Sequence, residues 1–175
     1  MILFHGTTAK RAECILSDRK IKKDCFRFFT KEENGDGYST DGYVYLSNEI
    51  TFSLSFAYSH SNVDESDFLY VFRIVVPDKY VLADFDEIRH QDPTGYDRER
   101  YETDLECSLL EFKACRIQKD ISFDEFEVVY FIIDKTQYEN ISDLFDNAGC
   151  DYNYVLENYT VKQKSFIDSI KWLKV

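Results

Sequence analysis

The chain is poor in the residues that usually form tight turns, because its 175 residues include only 6 glycines and 2 prolines. This scarcity argues against a sandwich of many short strands joined by tight turns. The 5 cysteines contain no C-x-x-C pair, so neither a disulfide framework nor a zinc site is predicted. No other group of residues has metal-ligand spacing, and we expect no metal at the functional site.

Basic residues are also in deficit, with 21 Lys and Arg against 33 Asp and Glu and a net charge of −12. An acidic surface repels polyanions, which disfavours non-specific binding to nucleic acid through its phosphates. The sequence has no apolar run of membrane length and no signal-peptide pattern at Met1. These absences predict a cytoplasmic protein with no membrane partner.

Apolar and aromatic residues are abundant by contrast, at 44% and 17% of the chain. This composition excludes a disordered chain, and the length fits one domain spanning residues 1–175. Strands are predicted at 1–4, 43–46, 68–76, 80–83, 109–117 and 126–133, and helices after Thr8 and at 50–59, 137–147 and 161–173. Residues 84–104 are predicted to form a long surface loop. Without a regular alternation of strand and helix, the fold class predicted is α+β.

Two segments place a polar or aromatic group where a predicted strand gives way to a loop. In the first, His5 stands beside Gly6, so that a ring nitrogen and an unhindered backbone lie close together. In the second, Tyr45 offers a flat face on which a ring can stack. Taken alone, His5 and Tyr45 are more often structural residues, but the pair together predicts a nucleotide pocket.

The sequence L-F-H-G-T-T around His5 resembles the first motif of the ADP-ribosyltransferases, in the branch that includes the poly(ADP-ribose) polymerases and diphtheria toxin. This branch carries a histidine, a tyrosine and a late glutamate, abbreviated H-Y-E. The segment G-Y-V-Y-L-S supplies the second motif with Tyr45, and Ser53 and Phe56 follow at the spacings typical of the polymerases. The segment D-E-F-E-V-V-Y, which contains Glu125 and Glu127, resembles the third.

The resemblance spans residues 3 to about 133 and implies a split β-sandwich. We therefore predict a core over about 1–139 and, from the helical patterns that follow, an extension over 140–175. It also implies NAD as the substrate, with His5 bonded to the adenine-side ribose. The Gly6 backbone, in the motif that continues into Thr7, would bond the nicotinamide carboxamide, as could Ser53. The groups expected to stack on nicotinamide are Tyr45 and either Phe56 or Tyr58.

Cleavage of the nicotinamide–ribose bond gives the ribose oxocarbenium character, so a carboxylate is needed beside that sugar. The resemblance assigns this role to Glu127 or Glu125, which strand alternation would place on one face. Glu127 is preferred because it runs straight into the apolar residues of the strand. Glu125 and Glu127 also reproduce the E-x-E of arginine-directed relatives, although those carry arginine in place of His5.

The function predicted is NAD-dependent mono-ADP-ribosyl transfer of toxin, effector or phage-defence type, to a protein or nucleic-acid acceptor that the sequence does not identify. A cognate antitoxin or inhibitor protein is a further partner that this type implies. Two alternatives stay open: a catalytically silent domain that binds a nucleotide or a partner, and an RNA 2′-phosphotransferase. The acidic balance of the chain disfavours the phosphotransferase, and the late glutamate disfavours a rifampin-type small-molecule transferase.

Overall fold

The computed structural model describes residues 1–25, 39–91, 105–146 and 163–175. The strands are β1 (Ile2–Thr8), β2 (Lys20–Ile21), β3 (Val44–Ser47), β4 (Phe68–Val75), β5 (Leu82–Ala83), β6 (Ala114–Ile117), β7 (Ile121–Ser122), β8 (Glu127–Asp134) and β9 (Leu173–Lys174). The helices are α1 (Ala9–Asp18), α2 (Ile50–Asp64), α3 (Phe85–Gln91), α4 (Leu105–Glu111), α5 (Lys135–Asp146) and α6 (163–169).

One seven-stranded sheet dominates the fold, in the order β5-β6-β3-β1-β4-β8-β9, and β2 and β7 form a separate pair. Every pair of neighbouring strands is antiparallel. Helices and antiparallel strands without a repeated βαβ unit make an α+β protein, so the predicted fold class is confirmed.

The sheet is weakly joined between β1 and β3. These strands share a single register pair, Phe4 with Ser47, whereas β1 and β4 pair along their whole length from Ile2–Val75 to Thr8–Leu69. The sheet therefore divides into a half built on β1, β4, β8 and β9 and a half built on β3, β5 and β6. The gap that opens beside Phe4 positions the functional site.

Both faces of the sheet are buried, because β4 alternates its apolar side chains between two cores. Phe72 and Ile74 point into a first core that also contains Ala12 of α1. Leu69 and Val71 point into a second core, which is covered by α2 and α5. A strand buried on both faces reads as a continuous apolar run, which is the pattern that predicted β4.

Helix α1 begins after Thr8, as predicted, and the Thr8 side chain forms no capping hydrogen bond with the helix. The Thr8 hydroxyl donates instead to Asp64 Oδ2 at 2.6 Å, which ties the start of α1 to the end of α2. The helix ends at Arg19, whose left-handed backbone (φ 51°) sends the chain into β2.

Several predicted elements differ from the structure. The strand predicted over 1–4 continues to Thr8, so His5 lies inside the strand and not where it gives way to a loop. The loop predicted over 84–104 contains helix α3, which Asp84 caps, and residues 92–104 lie outside the described residues. The strand predicted over 109–117 is the end of α4 followed by β6. Lys113 separates these two elements with a left-handed φ of 57°. An apolar run in the sequence does not predict this conformation.

The extension after residue 139 joins the main sheet. Strand β9 pairs with the edge of β8, and the Trp172 ring packs 6.4 Å from Phe4 and 5.3 Å from Phe131. Helix α6 ends at residue 169 and not at 173 as predicted, and Phe166 of this helix packs against the second core. Leu173, at the end of the predicted helix, lies in β9.

Candidate functional site

A cleft of about 1010 Å³ opens where β1 and β3 separate. Its volume is at the upper end of the range for small-molecule sites, which suits a ligand as large as a dinucleotide. One side is formed by β1, α1 and α2, and the other by β3 and the start of α3. Six of the side chains or backbones predicted at the site lie on its surface: His5, Gly6, Thr7, Tyr45, Ser53 and Phe56.

A hydrogen bond spans the gap between the two halves of the sheet. His5 Nδ1 lies 3.0 Å from the backbone oxygen of Tyr45, which can only accept, so Nδ1 carries the proton. In a neutral imidazole the other nitrogen, Nε2, is then an acceptor. His5 of the first motif and Tyr45 of the second motif are thus held at one point of the cleft.

Gly6 allows α2 to approach β1 more closely than any other residue would. A Cβ atom at this position would lie 1.7 Å from the carbonyl oxygen of Ser53. Ser53 is consequently buried against β1 while still forming part of the cleft surface. Thr7, the next residue of the strand, is buried and also borders the cleft.

Helix α2 presents a row of rings to the cleft. Phe52, Phe56 and His60 follow at intervals of four residues, with ring centroids 5.1 Å and 6.1 Å apart. Tyr58 faces the other way, where its hydroxyl donates to Glu139 Oε1 at 3.0 Å and its ring packs against Tyr138. Of the two rings predicted as alternatives for stacking, the structure brings Phe56 and not Tyr58 to the cleft.

The sequence shows no partner pattern for His60, which predicts a surface residue, and this prediction is wrong. Its imidazole is half-buried in the cleft wall, next to Phe56. Burial, reinforced by the charges of Arg11 and His5, lowers the pKa of His60 to about 4. The ring is therefore neutral at physiological pH.

An acidic group at the start of α3 lines the opposite wall, consisting of Asp84, Asp86 and Glu87. Asp84 caps the helix by accepting the backbone N–H groups of Asp86 and Glu87 on Oδ1, at 3.1 Å and 3.2 Å. Burial nevertheless raises the pKa of this carboxyl to about 7. Asp84 is thus occupied by the helix it begins.

Asp86 is occupied by the tyrosine of the second motif. The Tyr45 hydroxyl donates to Asp86 Oδ2, and the same carboxylate accepts from the Thr40 backbone N–H and hydroxyl at 2.9 Å each. The Thr40 carbonyl lies 2.9 Å from the Tyr45 hydroxyl. Of the three acidic residues, Glu87 is the most exposed, since Asp84 and Asp86 are buried.

The two glutamates of the third motif lie away from this cleft. Glu127 begins β8, two strands from β1, and its exposed side chain is 4.0 Å from the Arg73 guanidinium. Glu125 precedes β8 and forms an exposed ion pair with Lys119. The two were expected to share one face of a strand, but only Glu127 lies on the strand. Neither borders the cleft that holds His5 and Tyr45.

Several residues of the cleft escaped the sequence analysis. Phe52 and His60 were detectable from their spacing of four around Phe56, which places all three on one helical face. Asp86 and Glu87 were assigned to a loop, because charged residues surround Pro93 in that region. Arg116 does not line the cleft, but its guanidinium lies 3.6 Å from Asp86. It sits in an otherwise apolar strand and gave no signal.

In the described residues, none of the helices has both the length and the apolar character needed to cross a membrane. Comparisons with protein-family models, with curated proteins and with solved structures found no match to this chain.

Proposed function

We propose that the cleft binds NAD and that the protein is an NAD-dependent ADP-ribosyltransferase. The observation that carries the proposal is the meeting of two motifs distant in the chain, His5–Gly6 and Tyr45–Ser53, at the division of the sheet. Those motifs gave the resemblance to the H-Y-E branch. A sheet divided between the strands that carry them is consistent with the split sandwich that the resemblance implies.

In this proposal the dinucleotide lies along the gap between β1 and β3. His5 Nε2 accepts a hydrogen bond from the adenine-side ribose, since Nδ1 is held by Tyr45 O. The nicotinamide ring stacks between the rings of Tyr45 and Phe56. Ser53 and the Gly6 backbone, packed together at the base of the cleft, bond the carboxamide.

The carboxylate needed beside the reacting ribose comes from α3 in this proposal, not from β8. Glu125 and Glu127 lie outside the cleft. Glu87 lines the α3 wall of the cleft and is the most exposed of the three acidic residues there. Its negative charge would stabilise the oxocarbenium character that develops at the ribose.

The reaction then follows from the chemistry of NAD. The bond between ribose C1′ and the nicotinamide nitrogen breaks, and its electron pair leaves with nicotinamide. A nucleophile of the acceptor bonds to C1′ and loses its proton to the solvent or to a nearby base. We propose a protein or nucleic-acid acceptor and a toxin, effector or phage-defence role with a cognate antitoxin or inhibitor protein. We also propose a reducing cytoplasmic setting, which matches the free thiols of Cys14, Cys25 and Cys115.

The test measures nicotinamide released from NAD by the parent and by two matched variants, Glu87→Gln and Glu127→Gln. We expect Glu87→Gln to lower the rate by roughly 10²–10³-fold, a typical loss for one preorganised electrostatic group. NAD affinity should change little in this variant, because the charge acts in the transition state. Glu127→Gln should react like the parent. A loss confined to Glu127→Gln would instead support the third motif.

A second candidate is a silent domain that binds a nucleotide without cleaving it. The position of Glu125 and Glu127 outside the cleft favours it, because the resemblance assigns the catalytic carboxylate to them. Calorimetry separates the two candidates. Binding of NAD with no release of nicotinamide, unchanged by Glu87→Gln, would support the silent domain and contradict the enzyme.

A further inference from the structure

A buried arginine lies on the strand next to the tyrosine of the cleft. Arg116 of β6 is the register partner of Tyr45 on one side and of Leu82 on the other, and its side chain is only 4% exposed. The guanidinium carbon lies 3.3 Å from the centre of the Phe85 ring and 3.9 Å from that of Tyr43. Stacking between two rings fixes the plane of the guanidinium.

The arrangement is a poor way to stabilise the fold. Removing two charges from water is costly, and the attraction between them repays that cost only when their remaining donors and acceptors are satisfied. Arg116 Nη1 is 3.6 Å from Asp86 Oδ2, longer than a hydrogen bond. Within the described part of the chain, neither Nη1 nor Nε of Arg116 has a hydrogen-bond partner. A role other than stability is therefore the better explanation of the pair.

The role follows from what the pair holds. The Arg116 guanidinium lies against the Asp86 carboxylate, and Asp86 accepts a hydrogen bond from the Tyr45 hydroxyl and two from Thr40. We propose that Arg116 and Asp86 are positioning residues, which hold the Tyr45 ring at the angle needed to stack on the nicotinamide ring. This inference rests on the proposed function for the identity of the ring, but the anchoring of Tyr45 can be measured in the free protein.

The first measurement follows the tyrosine itself. Protein labelled with ¹³C at the tyrosine Cζ gives a signal for Tyr45 that is identified by its absence in Tyr45→Phe. In the doubly neutral variant Asp86→Asn with Arg116→Met, no buried charge is left alone, so the fold should survive. We expect the Tyr45 signal to shift or broaden there and to keep its position in the control Arg73→Met, an arginine that faces Trp172 and Glu127. An unchanged Tyr45 signal in the neutral variant overturns the inference.

The second measurement is the dissociation constant of NAD by calorimetry. The neutral variant should bind NAD about tenfold more weakly, the equivalent of one net hydrogen bond. Adding Tyr45→Phe to it should cost little more, because both changes break the same anchor. Additive losses, or parent affinity in a folded neutral variant, overturn the inference. A parent protein that binds no NAD refutes the proposed function, while a shifted Tyr45 signal still supports the anchor.

Discussion

The contact between Gly6 and Ser53 makes Gly6→Ala the most informative single substitution in β1. The new methyl group would meet the backbone of α2, with the Ser53 carbonyl oxygen at 1.7 Å and the carbonyl carbon at 2.6 Å. Backbone atoms cannot rotate aside as a flexible side chain does. To reach the 3.4 Å of ordinary van der Waals contact, the spacing to the oxygen has to double.

Helix α2, which would have to move, is held in place by its packing in the second core. Leu54 and Ala57 of α2 are fully buried in the second core, so a displacement of the helix also disturbs that core. Overpacking of this kind costs about 3 kcal/mol, the upper end of the usual range. For a domain of this size we expect the melting temperature to fall by about 6–12 °C.

The assay is thermal unfolding followed by circular dichroism, with Gly42→Ala as the matched control. Gly42 has a φ of +85°, and a Cβ atom added there would have no atom within 4 Å. Alanine at this position therefore causes backbone strain but no clash. That strain costs about 1 kcal/mol, which corresponds to a fall of about 2–4 °C. If Gly6→Ala melts with the parent, or above Gly42→Ala, the close packing of α2 on β1 is refuted.

Burial raises the pKa of Asp84 from its ordinary value of 3.8 to about 7. The folded state therefore binds a proton that the unfolded state has lost, and the protein becomes less stable as the pH rises between these two values. Asp84→Asn retains a side chain that can cap the helix. In urea unfolding we therefore expect its free energy of unfolding to equal that of the parent at pH 4 and to exceed it at pH 8. The same difference from the parent at both pH values would contradict the burial of Asp84. The lowered pKa of His60, about 4, acts in the opposite sense, and His60→Gln should reduce the loss of stability between pH 6.5 and pH 4. Burial raises the pKa of the Cys115 thiol, so iodoacetamide should label exposed Cys14 in the native protein and Cys115 only after unfolding, as read by mass spectrometry. Glu65→Gly should raise the melting temperature by about 1–3 °C, because Glu65 ends α2 with a left-handed φ of 53°, and a fall would show that the side chain stabilises this turn.

The long strands could be predicted because their residues are buried on both faces. β4 and β8 are rich in β-branched and aromatic residues, and they pair along their whole length. The boundary between α4 and β6 could not be predicted in this way. It depends on one left-handed residue, Lys113, which follows an apolar run that fits a strand as well as a helix.

The site was predictable to the extent that its residues are close in sequence. Tyr45, Ser53 and Phe56 lie within one β3–α2 segment, and their relative positions follow from the geometry of that segment. The place of Glu127 depends on long-range register, since its partner Val75 is itself opposite Ile2. No local pattern states that register, so the distance of Glu127 from the cleft could not be predicted. The acidic residues of α3 were overlooked for another reason, because their segment was predicted to be a loop.

The position of β1 in the middle of the sheet has a consequence for how the protein folds. This early strand pairs with β3 and β4, which follow only after about forty and sixty residues. The chain loses entropy in closing loops of that length before the strands can form hydrogen bonds. Folding is therefore slow, and we expect a folding time of milliseconds to seconds. During synthesis the residues of β1 would leave the ribosome long before their partners exist. Until β4 emerges, the apolar side chains of β1 remain available for mispairing or for capture by a chaperone.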